Sequence, residues 1–126
     1  MAAEQGDPDA AYTLSLEASD PVERFRLLLI AAERGYTAAQ EEAARAYYTG
    51  IGAPQNYVHA YAWALLAQAR TGDISFTSGL EEQMTKTQIV EAQQLAENLR
   101  VQIESNKKDV CQKFGNKYAN KGVSCP

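Results

Sequence analysis

Ala31-Ala32-Glu33-Arg34-Gly35-Tyr36-Thr37-Ala38-Ala39-Gln40 repeats, with few changes, the stretch Ala2-Ala3-Glu4-Gln5-Gly6-Asp7-Pro8-Asp9-Ala10-Ala11. The shared glycines, Gly6 and Gly35, are 29 residues apart, and a looser third copy, Ala67-Gln68-Ala69-Arg70-Thr71-Gly72, ends 37 residues after the second. Self-similarity at a period of roughly 20–50 residues marks stacked supersecondary units, each too small to bury its apolar face alone. The repeat therefore predicts a solenoid, which offers a surface more readily than a catalytic pocket.

Helix punctuation surrounds these copies. Asp7-Pro8 supplies an N-cap and a first-turn proline for a helix to about Glu17, and Asp20-Pro21 does the same for Val22 to Ala32, which Gly35 ends. Thr37 with Gln40 reads as a capping box for a helix to about Tyr48, and Thr85 with Gln88 as another for a helix to about Glu104. Between them Gly50-Ile51-Gly52-Ala53-Pro54 breaks the chain, and Asn56 caps a helix to about Arg70. Ile89, Ala92, Ala96, Leu99 and Ile103 form one helical stripe, whereas Val58 to Ala67 is apolar on nearly every side and belongs inside a stack. Val110, Phe114 and Tyr118 recur every four residues, so Asp109–Ala119 reads as a short amphipathic helix covering the open end of the stack. Nothing reads as a strand. The expected class is all-α: an α-α superhelix of antiparallel helix pairs with a C-terminal capping helix.

A chain of 126 residues, 45% hydrophobic and 22% charged, is one globular domain rather than a disordered segment. No run approaches the roughly 18 apolar residues of a membrane span. Met1–Gly6 reads as the end of a helix whose beginning is missing, so the lack of a signal sequence is no guide to compartment. The net charge of −4 is unevenly spread: residues 1–105 hold 7 basic and 15 acidic residues, whereas 106–126 hold five lysines against Asp109. An acidic body argues against nucleic acid and for a protein partner. Cys111 and Cys125 are too few for structural zinc, and His59 is remote, so no metal or cofactor is expected. A disulfide tying down the tail is the economical reading and requires an oxidising compartment, periplasmic or extracellular; the alternative is two unpaired thiols in a reducing one.

Ala39-Gln40, Ala43-Ala44, Tyr47, Gly50-x-Gly52, Asn56-Tyr57, Ala60 and Trp63, followed by Ala67 through Gly72, resemble a Sel1-like repeat, a bacterial TPR-like helical repeat. Ala43-Ala44 and Ala53 replace the more usual Leu-Gly and Val of that pattern. Residues 2–35 look like a shortened copy, and Thr85 to Ala96 resembles the helix that often closes such proteins. The expected organisation is a solenoid over 1–105 (repeats at about 2–35, 36–72 and 73–105) with a basic, disulfide-tied tail at 106–126.

The resemblance implies that the first helix of each pair lines a concave surface. Helix geometry then turns Glu41, Arg45 and Tyr48 away from the partner helix, with Glu41 and Arg45 as an i,i+4 pair. A shift by one repeat adds Tyr12, Leu16 and Ser19. Tyr12, Leu16, Glu41, Arg45 and Tyr48 are therefore the expected partner-binding residues, and the exposed strip Tyr12, Leu16, Arg45 and Tyr48 mixes aromatic, aliphatic and guanidinium groups as interface hot spots do. No catalytic residue is expected. His59 reads as a rim or hydrogen-bonded side chain, and Glu41-Glu42 and Glu81-Glu82, adjacent on helices, read as surface charges. The function implied is non-catalytic protein binding, as an envelope immunity protein that neutralises a secreted toxin. An envelope or signalling adaptor is the alternative, and a small-ligand or peptidoglycan-binding protein or hydrolase is a more distant one.

Overall fold

A computed structural model describes residues 6–125; the helix end expected over Met1–Gly6 lies almost wholly outside them. Six helices follow one another: α1 (Pro8–Glu17), α2 (Pro21–Ala32), α3 (Thr37–Thr49), α4 (Tyr57–Thr71), α5 (Ser75–Glu81) and α6 (Lys86–Phe114), then a 3-10 turn at Ala119–Lys121. Among the described residues there is no strand, and no helix is long and apolar enough to cross a membrane. Each helix packs on the next through α4, which meets both α5 and α6.

Local chemistry starts most of these helices. Asp7 Oδ1 accepts from the amides of Asp9 and Ala10, Asp20 from Glu23 and Asn56 from His59, while Thr85 and Gln88 form a reciprocal capping box. The expected box at Thr37 does not form. The α2 helix closes with a Schellman turn, in which Tyr36 N–H donates to the Ala31 carbonyl and Gly35 N–H to that of Ala32. Tyr36 thereby becomes the N-cap and Thr37 the first helical residue, and Gln40 instead donates its side-chain amide to the buried Ala32 carbonyl. Gly50 and Gly52 take φ of +78° and +87° between α3 and α4. A Cβ at Gly52 would stand 2.4 Å from the Pro21 carbonyl oxygen, so this turn needs both the left-handed backbone and the missing side chain.

Alanines make the helix seams. Ala11, Ala31, Ala32, Ala39, Ala43 and Ala44 are buried around Leu28, Trp63 and Ile103, and Trp63 is the largest side chain among them. Small residues let helix axes approach, and the indole fills the remaining wedge. Tyr47, half-buried, meets Phe25 edge-on at 5.0 Å.

Two elements differ from the sequence expectation. The helix expected to stop near Glu104, and the separate one expected from Asp109, are a single 29-residue helix that Gly115 ends. The expected boundary at residue 105 thus falls inside α6. The apolar stripe is bridged there by polar residues with tertiary work to do: Asn106 donates to the Glu33 carbonyl at 2.8 Å, and the Lys107 stem lies over Gly35. The second difference is α5, which propensity did not mark.

At about 43 Å long, α6 reaches all three hydrophobic clusters, contributing Ala92 beside Leu80 and Tyr61, Ile103 in the Trp63 cluster, and Val110 beside Tyr118 and Val123. Past Gly115 the tail turns back on the α2–α3 connection. A Cβ at Gly122 (φ +104°) would overlap Thr37 Oγ1 and crowd the Gly35 carbonyl, a measure of how closely the tail is seated. Cys111 and Cys125 form a disulfide with Cα atoms 5.7 Å apart. Tyr118 donates its hydroxyl to Asp7 Oδ2 at 3.0 Å, so one carboxylate caps α1 and anchors the tail.

Burial, and then hydrogen bonding to Asp7, pushes the Tyr118 pKa up to about 12 from an ordinary value of 10.0. Because the folded pKa is raised, the stabilisation is complete below pH 10 and is lost as pH climbs toward 12. Tyr118→Phe is expected to cost about 1 kcal/mol at pH 8. The difference between wild-type and variant melting temperatures closes between pH 10 and 12, which paired thermal melts measure; a difference independent of pH would contradict the assignment.

Candidate functional site

Three depressions border α3. One, of about 270 Å³, lies between α2 and α3, floored by Phe25, Leu28, Ala46 and Ile51 and edged by Ser19, Arg24, Glu42 and Arg45. The second runs between α3, α4 and α5 past Glu41, Arg45, Gln68, Asp73 and Phe76. The third is bounded by Tyr12, Tyr36, Glu41, Arg70 and, from the tail, Asn120 and Lys121. Arg45 borders the first two and Glu41 the last two, so consecutive turns of α3 sit at the centre of the relief.

The five expected residues differ in place and exposure: Arg45, Glu41 and Tyr12 border the depressions, whereas Leu16 and Tyr48 line none of them. Leu16 is 60% exposed, and Arg45 is open to solvent. The expected Glu41–Arg45 ion pair is absent among the described residues; neither side chain has an ion-pair partner there. Tyr12 is half-buried, stacked on Tyr36 at 4.8 Å, and Tyr36 donates to Asp9. Burial raises the Tyr12 pKa, and hydrogen bonding to Glu42 adds to the shift.

Tyr48 is not on the open surface. Its ring stacks on Tyr57 at 5.5 Å, meets Phe76 edge-on at 5.7 Å, and its hydroxyl accepts from Gln83 Nε2 at 3.1 Å. It pins α5 to the α3–α4 pair, so it shapes the face rather than offering itself.

Other expectations also shift. Glu42 is half-buried rather than a surface charge, with Oε2 shielded and unpartnered, and Glu81 accepts from the Tyr61 hydroxyl. That bond, after burial, helps push Tyr61 up to about 12. His59, expected at a rim or in a hydrogen bond, is half-buried, 4.9 Å from the Tyr47 ring, with Nδ1 shielded and without a hydrogen-bond partner. No three His, Cys, Asp or Glu side chains gather as a metal site among the described residues.

No family model matches the chain, and no curated protein matches it at significance. Among solved structures it is similar to the crystal structure of a protective antigen present in uropathogenic Escherichia coli strains, which displays an SLR (Sel1-like repeat) fold. The TM-score is 0.72 at 26% identity over 90% of this chain. The chain has a Sel1-like repeat fold. It spans only 26% of the length of that antigen. The relief around α3 draws on α1, α2, α4, α5 and the tail as well as on α3 itself. Sequence reasoning missed Arg24, Phe25, Leu28 and Ile51 because it looked only to first helices. It missed Asn120 and Lys121 because nothing local says where a tail will fold; its excess of lysine over an acidic body was the one available signal.

Proposed function

We propose that this Sel1-like repeat chain is a non-catalytic module that holds a segment of another protein across the α1–α3–α5 face, with Leu16 and Arg45 as direct contacts, Tyr12 and Glu41 beside them, and Tyr48 shaping the surface. The observation that carries this reading is the convergence of three depressions on Glu41 and Arg45, whose guanidinium has no ion-pair partner among the described residues. Arginine is enriched among residues that dominate interface energetics. The disulfide supports an extracytoplasmic setting, periplasmic or secreted, where the bond persists. Stoichiometric neutralisation of a secreted toxin is our preferred role, and an envelope adaptor is the second. A hydrolase finds less support, because His59 faces Tyr47 rather than a nucleophile or carboxylate.

A photo-crosslinking residue at position 16, introduced in a bacterium that makes the protein, is expected to capture a specific partner, whereas the same residue at exposed Val90 on α6 is not. Arg45→Glu should reduce the adduct about tenfold or more while leaving the melting temperature unchanged, since the exposed Arg45 side chain has no ion-pair partner among the described residues. Equal capture from position 90, or loss of adduct in step with loss of stability, would remove the proposed face. If the captured protein is a toxin inactivated at equimolar ratio, the immunity role follows; a component of an envelope assembly favours the adaptor.

A further inference from the structure

The basic side chains of this acidic chain are unevenly engaged. Arg26 and Arg100 pair with Glu23 and Glu97, each at 2.6 Å, and Arg34 donates to the Ile30 carbonyl. Arg24, Arg45 and Arg70, by contrast, each border one of the depressions around α3, and Lys121 of the tail joins Arg70 at the third. Among the described residues none of these four lies within ion-pair distance of a carboxylate. Arg24 is oriented by donating to the Ala18 carbonyl at 3.0 Å, which leaves other N–H groups of its fork available.

The carboxylates of the same face are differently engaged. Asp73 accepts from the Ser75 amide and hydroxyl, Glu41 has no ion-pair partner among the described residues, and Glu42, at the edge of the cavity between α2 and α3, keeps Oε2 shielded and unpartnered. Between Arg24 and Arg45 the surface drops into the 270 Å³ cavity floored by Phe25, Leu28 and Ile51. A cavity of about 150 Å³ already holds a benzene ring, so this one accommodates an aliphatic or aromatic side chain.

We infer that the groove receives an extended partner segment in which one aliphatic or aromatic side chain is flanked by aspartate or glutamate. The apolar group enters the cavity between α2 and α3, and the flanking carboxylates meet the Arg24 and Arg45 guanidiniums, whose planar forks suit bidentate carboxylate recognition. The net charge of −4 opposes such a segment at a distance, but is screened beyond about 8 Å at physiological salt, so the local arginines decide. This inference rests on the proposed binding face and specifies its partner.

The test is selection of phage-displayed random dodecapeptides on the immobilised full-length chain with its disulfide intact. The expected result is enrichment of peptides with an acidic residue on either side of a leucine, isoleucine, methionine or phenylalanine. Their affinity should fall at least about tenfold with Arg45→Glu at unchanged melting temperature and with Arg24→Glu, which also gives up the bond to the Ala18 carbonyl, and should weaken as salt rises. Enrichment of neutral or basic peptides that still lose binding with Leu16→Asp would overturn the acidic specification while leaving the binding face intact. No enrichment, or peptides indifferent to all three substitutions, would overturn both.

Discussion

Trp63→Ala is expected to lower the stability of the chain by about 3–5 kcal/mol. Trp63 is 2% exposed, and its cluster is dominated by alanines from α1, α2, α3 and α4, with Leu28, Tyr36 and Ile103 as the larger fillers. Alanines have no torsions with which to collapse into the space left behind, so most of the cavity cost remains. Trp63→Phe keeps much of the ring volume and should cost less than half as much. Because Trp63 is the only tryptophan, urea unfolding must be followed by far-ultraviolet circular dichroism rather than fluorescence. A loss below about 1 kcal/mol, the size of an ordinary surface or peripheral substitution, would mean that the helix pairs are not wedged apart by this side chain.

Removing the disulfide is the second large effect. Cys111 and Cys125 are 14 residues apart in sequence, and their bond closes the loop carrying Tyr118 and Val123 against Val110. A loop of about 15 residues is worth about 3 kcal/mol through the entropy of the unfolded chain. The double Cys→Ser variant should therefore melt roughly 10 °C lower. A reducing agent should lower the wild type by a similar amount and leave the variant unmoved. Hydrogen exchange should accelerate first at the Val123 amide, which donates to the Tyr118 carbonyl inside the loop that the disulfide closes. Since Asn120 and Lys121 wall the third depression, reduction should also reshape that end of the face.

The helices legible in the sequence were those whose ends are written in local chemistry. Asp7-Pro8, Asp20-Pro21, Asn56 and the Thr85–Gln88 box each make the hydrogen bonds that their residue types suggest. Thr37–Gln40 has the same letters and fails, because the turn ending α2 consumes Tyr36 as the cap and the Ala32 carbonyl claims Gln40. The short α5 lacks a side-chain cap and includes Gly79, so tertiary contacts through Leu80 and Phe76 hold a segment with weak intrinsic preference. The unbroken α6 was hidden by Asn106 and Lys107, polar residues on a buried stripe whose partners, Glu33 and Gly35, are more than seventy residues away in sequence.

The candidate face divides in the same way. The Sel1-like resemblance, with helix periodicity, implied one face for Tyr12, Leu16, Glu41, Arg45 and Tyr48, but exposure depends on neighbours that neither sees. Phe76 and Gln83, from the helix that the sequence concealed and its following turn, cover part of Tyr48 and leave it half-buried. Arg24 and Lys121 enter the face from α2 and from the tail, elements that a one-helix reading leaves out. A repeat fold by itself names no partner; the side chains on the face must do so.

The central claim, that this face receives a polypeptide, is tested most directly by mapping amide chemical-shift changes in the isotopically labelled full chain as a selected peptide is titrated in. The account predicts that the shifts concentrate along α1, the Glu41–Arg45 turn of α3, Arg24 and Phe25 of α2, and Asn120–Lys121. Shifts confined to the outer side of α6 around Val90 and Val101, with the α3 amides unmoved, would contradict it.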